Sequence, residues 1–233
     1  AFVLLGIISA FMALYFLRIN RWVSSKFSKY KRSTKIILGG SILGLLVYIF
    51  PPLFGEGYSA LTSLLNNDVD VMFENSFFHP YVDNELTFLM VLVAIVFFKA
   101  IATAVTCSSG GVGGTFAPSL FLGGFVGFFV ARIVNLSGLI YVAESNFALV
   151  GMAAVMAGVM HSPLTATFLI AEITGGYALF TPLLIATTIA YLVVKPLTKY
   201  SIYAAPLAAK GDLTTHNKDK NALNYIDINK LIE

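Results

Sequence analysis

Six apolar runs, separated by polar stretches or by glycine and proline, dominate the 233-residue sequence. The runs cover residues 1–17, 36–54, 86–107, 115–131, 147–171 and 177–194. Most of them approach the ~20 residues that a helix needs to cross the hydrocarbon core of a bilayer. The pattern predicts an all-α, polytopic membrane protein in which several helices are short or broken by glycine and proline.

The composition supports a membrane protein and excludes several other classes of protein. Hydrophobic residues make up 58% of the chain and charged residues 12%, with a mean hydropathy of +0.83, which excludes an ordinary soluble domain. The net charge of +3 comes from basic residues in loops beside apolar runs, so it indicates membrane topology rather than nucleic-acid binding. The single cysteine, Cys107, excludes an internal disulfide. Because the sequence has no metal, cofactor or hydrolase motif, we expect no metal, no cofactor and no bond-breaking catalysis.

The distribution of charge predicts the orientation of the helices. The stretch 18–35 contains seven Lys or Arg residues and no acidic one, so it is predicted to be cytoplasmic. The next run leads outward to an external loop that holds Glu56, Asp68, Asp70, Glu74, Asp83 and Glu85. Residues 86–107 then return inward and 115–131 run outward. Residues 177–194 end in the cytoplasm, because Lys195 and a charged C-terminal tail follow them.

Residues 147–174 must enter and leave the membrane on the outer side in this topology. They are predicted to form a re-entrant hairpin of two half-length helices that meet at the break Met160-His161-Ser162-Pro163. The alternative is one long kinked helix, which would place the C-terminal tail and its lysines outside. The charge distribution favours the hairpin, in which His161 has a structural role at the break.

An uncharged stretch from Ser108 to Pro118, reading SSGGVGGTFAP, ends one apolar run and begins the next. Its four glycines allow sharp turns and leave backbone amides accessible, and Pro118 suits a first helical turn, where a missing N–H costs nothing. Within lipid, irregular backbone persists only where it is buried in protein or lines a polar cavity. The stretch therefore predicts a cavity, with an anion near the positive end of the following helix.

The residues from Lys99 to Gly127, KAIATAVTCSSGGVGGTFAPSLFLGGFVG, resemble the signature of the CLC family of chloride channels and chloride/proton exchangers. The segment from Gly151 to Ala186 is similar to the following hairpin and helix of that family, and Ser201-Ile202-Tyr203 resembles its pore tyrosine segment. The resemblance covers only the second of the family's two inverted repeats. It implies a chain truncated at Ala1 that joins a missing first repeat and forms a homodimer in a lipid bilayer.

The resemblance also implies which residues bind the anion. The backbone amides of Thr115 and Phe116 would hold a chloride ion, and the hydroxyl of Tyr203 would donate to the same ion. The residues that would support the loop are Gly113, Gly114, Ala117 and Pro118. Two amides, a hydroxyl and a helix dipole attract a halide without a full positive charge, so the ion can both enter and leave.

The implied function is chloride transport by a channel or an antiporter. The gating and proton-relay glutamates of the family belong to the first repeat. The choice between a channel and an antiporter, and the selectivity among chloride, nitrate and fluoride, therefore stay open.

Several of the remaining residues have simpler interpretations. Three glycines are predicted to pack helices closely: Gly123, Gly124 and Gly127. For Tyr203, an anchor at the membrane interface is the alternative to a pore ligand. Lys99 and Glu172 are expected to make structural pairs or contacts with loop backbone. Arg132 is expected to snorkel to the interface.

We predict a membrane domain over residues 1–207 and a cytoplasmic linker over residues 208–233. The end of the linker resembles the lead-in to the paired CBS regulatory domains that follow the membrane part of many CLC relatives; a disordered tail is the alternative.

Two other functions remain open. One is a structural or assembly protein whose glycines only pack helices, and the other is a secondary transporter of an organic anion. The second would need a larger cavity and an Arg or Lys ligand near the loop.

Overall fold

The structure is a computed structural model that describes residues 1–66, 68, 84–138 and 140–210. In this part of the chain the regular structure is helical, which confirms the all-α prediction. The helices are α1 (Phe2–Phe27), α2 (Arg32–Ile49), α3 (Tyr58–Leu65), α4 (Glu85–Ser109), α5 (Phe116–Leu136), α6 (Glu144–Met160), α7 (Pro163–Ile173), α8 (Phe180–Leu197) and α9 (Ala204–Lys210), with a 3-10 turn at Pro51–Leu53.

Five of these helices are long and apolar enough to cross a membrane: α1, α2, α4, α5 and α8. They correspond to the five runs that were predicted to cross, and the shorter apolar helices α6 and α7 correspond to the two arms of the predicted hairpin. Length and composition therefore confirm the prediction of an integral, multi-pass membrane protein with broken helices. The predicted acidic loop falls largely on residues 67 and 69–83, which lie outside the described residues.

The predicted basic loop at residues 18–35 is mostly helical, which corrects its boundaries. Helix α1 continues ten residues beyond the apolar run, to Phe27, and α2 begins at Arg32, so residues 28–31 alone link them. The reason is packing, because Val23 and Phe27 lie buried against Ala104 and Val105 of α4. The last three turns of α1 thus have an apolar face, while their basic side chains stay exposed.

Helices α5 and α6 approach each other closely at glycines. A Cβ atom added to Gly123 would lie 2.6 Å from the Cα of Met152, and one added to Gly127 would lie 2.8 Å from the Cα of Ala148. Gly151 faces them from α6, where a Cβ would lie 2.9 Å from the Cα of Gly127. Real Cβ contacts are longer than this, so the crossing requires glycine. A Cβ on Gly124 would overlap with Cδ1 of Leu61 in α3, so the predicted packing role of Gly123, Gly124 and Gly127 is confirmed.

The predicted break between the arms of the hairpin is present. Helix α6 ends at Met160, His161 adopts a left-handed conformation with φ of 58°, and α7 begins at Pro163. A hydrogen bond of 3.0 Å joins His161 Nε2 to Thr198 Oγ1 at the end of α8. Because the Thr198 hydroxyl donates to the carbonyl of Val194, its oxygen is left to accept from His161. The histidine therefore ties the break to α8, in agreement with a structural role.

Arg132 forms ion pairs that were not predicted, while its expected snorkelling to the interface stays a prediction. Its guanidinium pairs with Glu85 at the start of α4 through Nε and Nη2, and its Nη1 lies 3.2 Å from Oε1 of Glu144 at the start of α6. Asn135 also donates to Glu144, whose side chain is only 11% exposed. These contacts hold the ends of three helices together. Glu172, by contrast, is exposed and makes no ion pair within the described residues, so its predicted pairing is not found there.

The chain divides into two compact units, residues 1–199 and residues 200–233. In the described part of the second unit, the carbonyl and the hydroxyl of Ser201 accept from the amides of Ala205 and Ala204, respectively, at the start of α9. The predicted linker at 208–233 begins inside this unit, and from residue 211 onward it lies outside the described residues. The predicted boundary at residue 207 stays a prediction.

Candidate functional site

The glycine-rich stretch forms an irregular connection between α4 and α5. Gly110 ends α4 in a left-handed conformation with φ of 98°, which favours glycine, and the amide of Gly111 donates to the carbonyl of Thr106. Residues 111–114 have no regular structure, and α5 begins at Phe116 with Pro118 in its first turn. The arrangement agrees with the prediction that this stretch ends one helix and begins the next.

Among the residues that the structure describes, the first amides of α5 have no protein acceptor. Thr115 is the N-cap residue, and its side chain makes no capping hydrogen bond. In the described part of the chain no acceptor lies within hydrogen-bonding geometry of the amides of Thr115 and Phe116, whereas the amide of Ser119 already donates to the carbonyl of Thr115. The Thr115 hydroxyl oxygen is buried and also lacks a partner there. The helix thus presents unpaired donors at its positive end, equivalent to about half a unit charge.

A cavity of about 580 Å³ opens beside this helix start. Its lining includes Gly113, Gly114, Phe116, Ala117 and Pro118. The predicted cavity is therefore present, and five of the seven predicted site residues line it. Thr115 belongs to the same turn but not to the lining.

Tyr203 belongs to the second compact unit and immediately precedes α9. Its predicted role as a donor to the anion therefore stays a prediction. The cavity lies wholly in the first unit, so its description depends only on residues 1–199.

The rest of the cavity lining is a feature that sequence reasoning missed. It comes from residues 53–56 of the connection between α2 and α3, together with residues of α2, of α4 and the first residue of α3. Lys99 of α4 holds this connection, because its Nζ donates to the carbonyls of Leu53 at 3.1 Å and Gly55 at 2.9 Å. The expectation that Lys99 contacts loop backbone is confirmed. The Pro51-Pro52 pair, which ends α2, was the available signal for a turn here.

Gly57 packs against both the buried lysine and α5. Its φ of 87° lies in the left-handed region, and a Cβ there would lie 2.6 Å from Cε2 of Phe121 and 3.1 Å from Nζ of Lys99. Phe121 in turn presents its ring to Lys99, with Nζ 4.6 Å from the ring centroid. The connection between α2 and α3 is therefore fixed against the same helix whose start carries the free amides.

Comparison with known proteins finds similar sequences in one family. The sequence model of a family described as voltage gated chloride channel matches residues 1–195. Two curated relatives, the voltage-gated ClC-type chloride channels ClcB of Escherichia coli O81 (strain ED1a) and of Escherichia coli O6:H1 (strain CFT073), are each 32% identical over 174 residues. The match covers 72% of this chain and 36% of each relative, so the chain spans about a third of their length.

Solved structures resemble the chain over most of its length. A slow cyanobacterial Cl-/H+ antiporter superposes with a TM-score of 0.70 at 27% identity, covering 90% of this chain and 46% of the antiporter chain. A eukaryotic CLC transporter superposes with a TM-score of 0.55 at 21% identity, covering 90% of this chain and 35% of that one. The second likeness concerns the fold alone.

Replacing Gly57 by alanine tests the packing of the cavity wall. Gly57→Ala forces a left-handed alanine and places its methyl group against Phe121, so we expect a loss of about 2–4 kcal/mol in the free energy of unfolding. Gly55→Ala is the matched control, because Gly55 also has positive φ, 59°, but nothing lies within 4 Å of an added Cβ. The control should lose about 1 kcal/mol, from backbone strain alone. Thermal unfolding in detergent measures both; equal losses would show that Gly57 is not packed as described.

Proposed function

This chain belongs to the voltage gated chloride channel family, and we propose that it forms one half of a pathway that carries chloride across a membrane. The observation that carries the proposal is the cavity beside the start of α5, where free backbone amides meet an uncharged loop. The names of the similar antiporter and of the similar channels refer to chloride. The proposal concerns the movement of chloride, which a channel and an antiporter share.

The amides of Thr115 and Phe116 are the proposed chloride ligands. Neither has a protein acceptor in the described part of the chain, and both lie where the helix dipole favours an anion. Gly113, Gly114, Ala117 and Pro118 would shape the loop so that the ion can approach this bare backbone. Amide dipoles hold a halide more weakly than a lysine in direct contact would, which suits an ion that must leave again.

Tyr203 is the proposed third ligand, through its hydroxyl. Support for this assignment comes from its SIY context, after the last spanning helix. Tyr203 lies six residues after Leu197, where α8 ends. A phenol hydroxyl adds a donor without adding a net charge.

The complete transport unit is proposed to contain a first repeat joined to this chain, and two such units are proposed to form a homodimer. The size of the matched relatives supports the first part, since this chain spans 46% of the antiporter. Helices α7 and α8 are the proposed contribution of this chain to the dimer contact. The basic residues from Arg18 to Lys35 and the C-terminal tail would face the cytoplasm, and residues 208–233 would form a linker there.

Reconstitution into liposomes separates this proposal from its two alternatives. Chloride efflux, followed with a chloride electrode, is expected from vesicles that contain this chain together with a first repeat. A structural or assembly protein would give no efflux of any anion under the same conditions. A transporter of organic anions would release a carboxylate but not chloride. Either of these last two results would contradict the proposed function.

Removal of a single hydroxyl group tests the role of Tyr203. Tyr203→Phe in the complete unit should weaken chloride binding about tenfold or more, because a hydrogen bond to a charged group contributes about 1.5–3 kcal/mol. Tyr200→Phe is the control, because it removes the hydroxyl of a tyrosine three residues earlier that is not among the proposed ligands, and the affinity of this variant for chloride should match that of the wild type. Isothermal titration calorimetry gives both values. Unchanged affinity in Tyr203→Phe would remove this residue from the site.

A further inference from the structure

The C-terminal ends of α1 and α8 lie on the same side of the protein, and both are basic. In each helix the apolar run is followed directly by a basic residue, Arg18 in α1 and Lys195 in α8. The two helices pack against each other and against the end of α6, where a Cβ added to Gly158 would lie 2.8 Å from Cβ of Ala13 and 3.2 Å from Cγ2 of Val194. The first basic residues of the two helices are therefore within about two helical turns of each other in depth.

The break between α6 and α7 lies beside these basic ends. His161 is joined to Thr198, just after α8, and its ring lies edge-on to that of Tyr191, with centroids 6.2 Å apart. Arg21 and Lys195 are both close enough for their charges to act on the His161 ring, although they belong to different helices. Nζ of Lys195 also lies 6.0 Å from the ring centroid of Tyr191. Arg21 and Lys195 thus face one region of the surface.

The end of α1 adds an exposed face of basic and aromatic side chains to this region. Trp22, the one tryptophan of the chain, is 61% exposed, and Nζ of Lys26 lies 5.9 Å from its ring centroid. Arg18, Trp22 and Lys26 are spaced by four residues and so share one side of the helix, whereas Val23 and Phe27 are buried against α4. We call six residues together the basic patch: Arg18, Arg21, Trp22, Lys26, Tyr191 and Lys195.

The charge of the basic patch is not neutralised by acidic residues in the part of the chain that the structure describes. No carboxylate there forms an ion pair with its Lys and Arg side chains. Helices α1 and α8 contain no acidic residue, and those of α6 and α7, Glu144 and Glu172, lie near the helix ends remote from His161. Repulsion between like charges on neighbouring helices favours the binding of an anion between them.

The depth of the basic patch favours a lipid headgroup over a soluble anion. The headgroup layer extends about 5–8 Å beyond the hydrocarbon core on each side, and Arg21 lies roughly 6 Å past the apolar run of α1. Tryptophan and tyrosine rings prefer this layer. In the proposed topology the patch faces the cytoplasmic leaflet, where clustered Lys and Arg residues beside a spanning helix attract anionic lipids.

We propose that the phosphate of an anionic phospholipid binds between the C-terminal ends of α1 and α8, where Arg21 and Lys195 neutralise it and Trp22 and Tyr191 contact the lipid. The inference goes beyond the proposed transport of chloride, because no residue of the basic patch lines the cavity. By neutralising charges on two helices, the bound lipid would stabilise the packing of α1 on α8 beside the hairpin break.

Trp22 provides the probe for this site, because bromine atoms on a lipid quench the fluorescence of a nearby tryptophan. The complete unit is placed in equimolar bilayers of phosphatidylglycerol and phosphatidylcholine in which one or the other lipid is brominated. The difference between the wild type and Trp22→Phe isolates the signal of Trp22. Phosphatidylglycerol should be preferred roughly tenfold or more, since each basic residue near an anionic lipid contributes roughly fivefold.

Removal of two charges from the basic patch should reduce this preference. The double variant Arg21→Gln, Lys195→Gln should show a preference at least about fivefold lower than the wild type. The matched control is the double variant Lys29→Gln, Lys31→Gln, which removes two exposed charges from the link between α1 and α2, roughly 15 Å past the apolar run of α1. Because charges at that distance are screened, its preference should stay within about twofold of the wild type.

Other results would overturn the inference. Equal quenching by the two lipids in the wild type would show that no anionic lipid is selected, and equal losses in the two double variants would show that only net charge acts. The variant Arg21→Lys, Lys195→Arg keeps both charges, so a loss as large as that of the glutamine variant contradicts the proposal. Displacement of the lipid by inorganic phosphate at constant ionic strength would identify a site for a soluble anion instead. Chloride efflux tests the proposed function separately, so the two proposals can fail independently.

Discussion

Backbone amides within a bilayer must face something polar, and this requirement organises the structure around the start of α5. The chain between Gly110 and Phe116 is irregular, and the amides of Thr115 and Phe116 have no acceptor in the described residues. In hydrocarbon each such group costs several kcal/mol. The cavity beside the helix start leaves room for a polar partner of these amides.

Contacts along α5 hold that helix start in place. Gly123 and Gly127 let α5 pack directly on the backbone of α6. At the far end, Arg132 joins α5 to Glu85 and Glu144 at the starts of α4 and α6. Lys99 and Phe121 also fix the connection between α2 and α3, whose residues Leu53 and Gly55 line the cavity. Rigid positioning of donors is what a site of dipoles requires, since each dipole is weak alone.

Local patterns were sufficient to predict much of this arrangement. The apolar runs predicted the five helices that are long enough to cross a membrane, because length and hydropathy are properties of a single segment. The break at His161 and the irregular loop before Pro118 were likewise signalled by glycine and proline. The glycine packing of α5 followed from small residues at helical spacing. These features depend on residues that are close in sequence.

Features that depend on distant residues were not predictable in the same way. The extension of α1 to Phe27 requires α4 as a partner, and the ion pairs of Arg132 join residues 47 and 12 positions away. The role of Lys99 at the cavity wall depends on carbonyls 46 and 44 positions earlier. A sequence shows that such residues are charged and surrounded by apolar ones, but it does not show which backbone groups will face them.

The most direct test of the central claim is the location of bromide in crystals of the complete unit soaked in bromide. The anomalous signal of this halide identifies its position. The account predicts a peak within hydrogen-bonding distance of the amide nitrogens of Thr115 and Phe116, about 3–3.5 Å away. Bromide sites elsewhere along the pathway, with no peak beside these two amides, would contradict it.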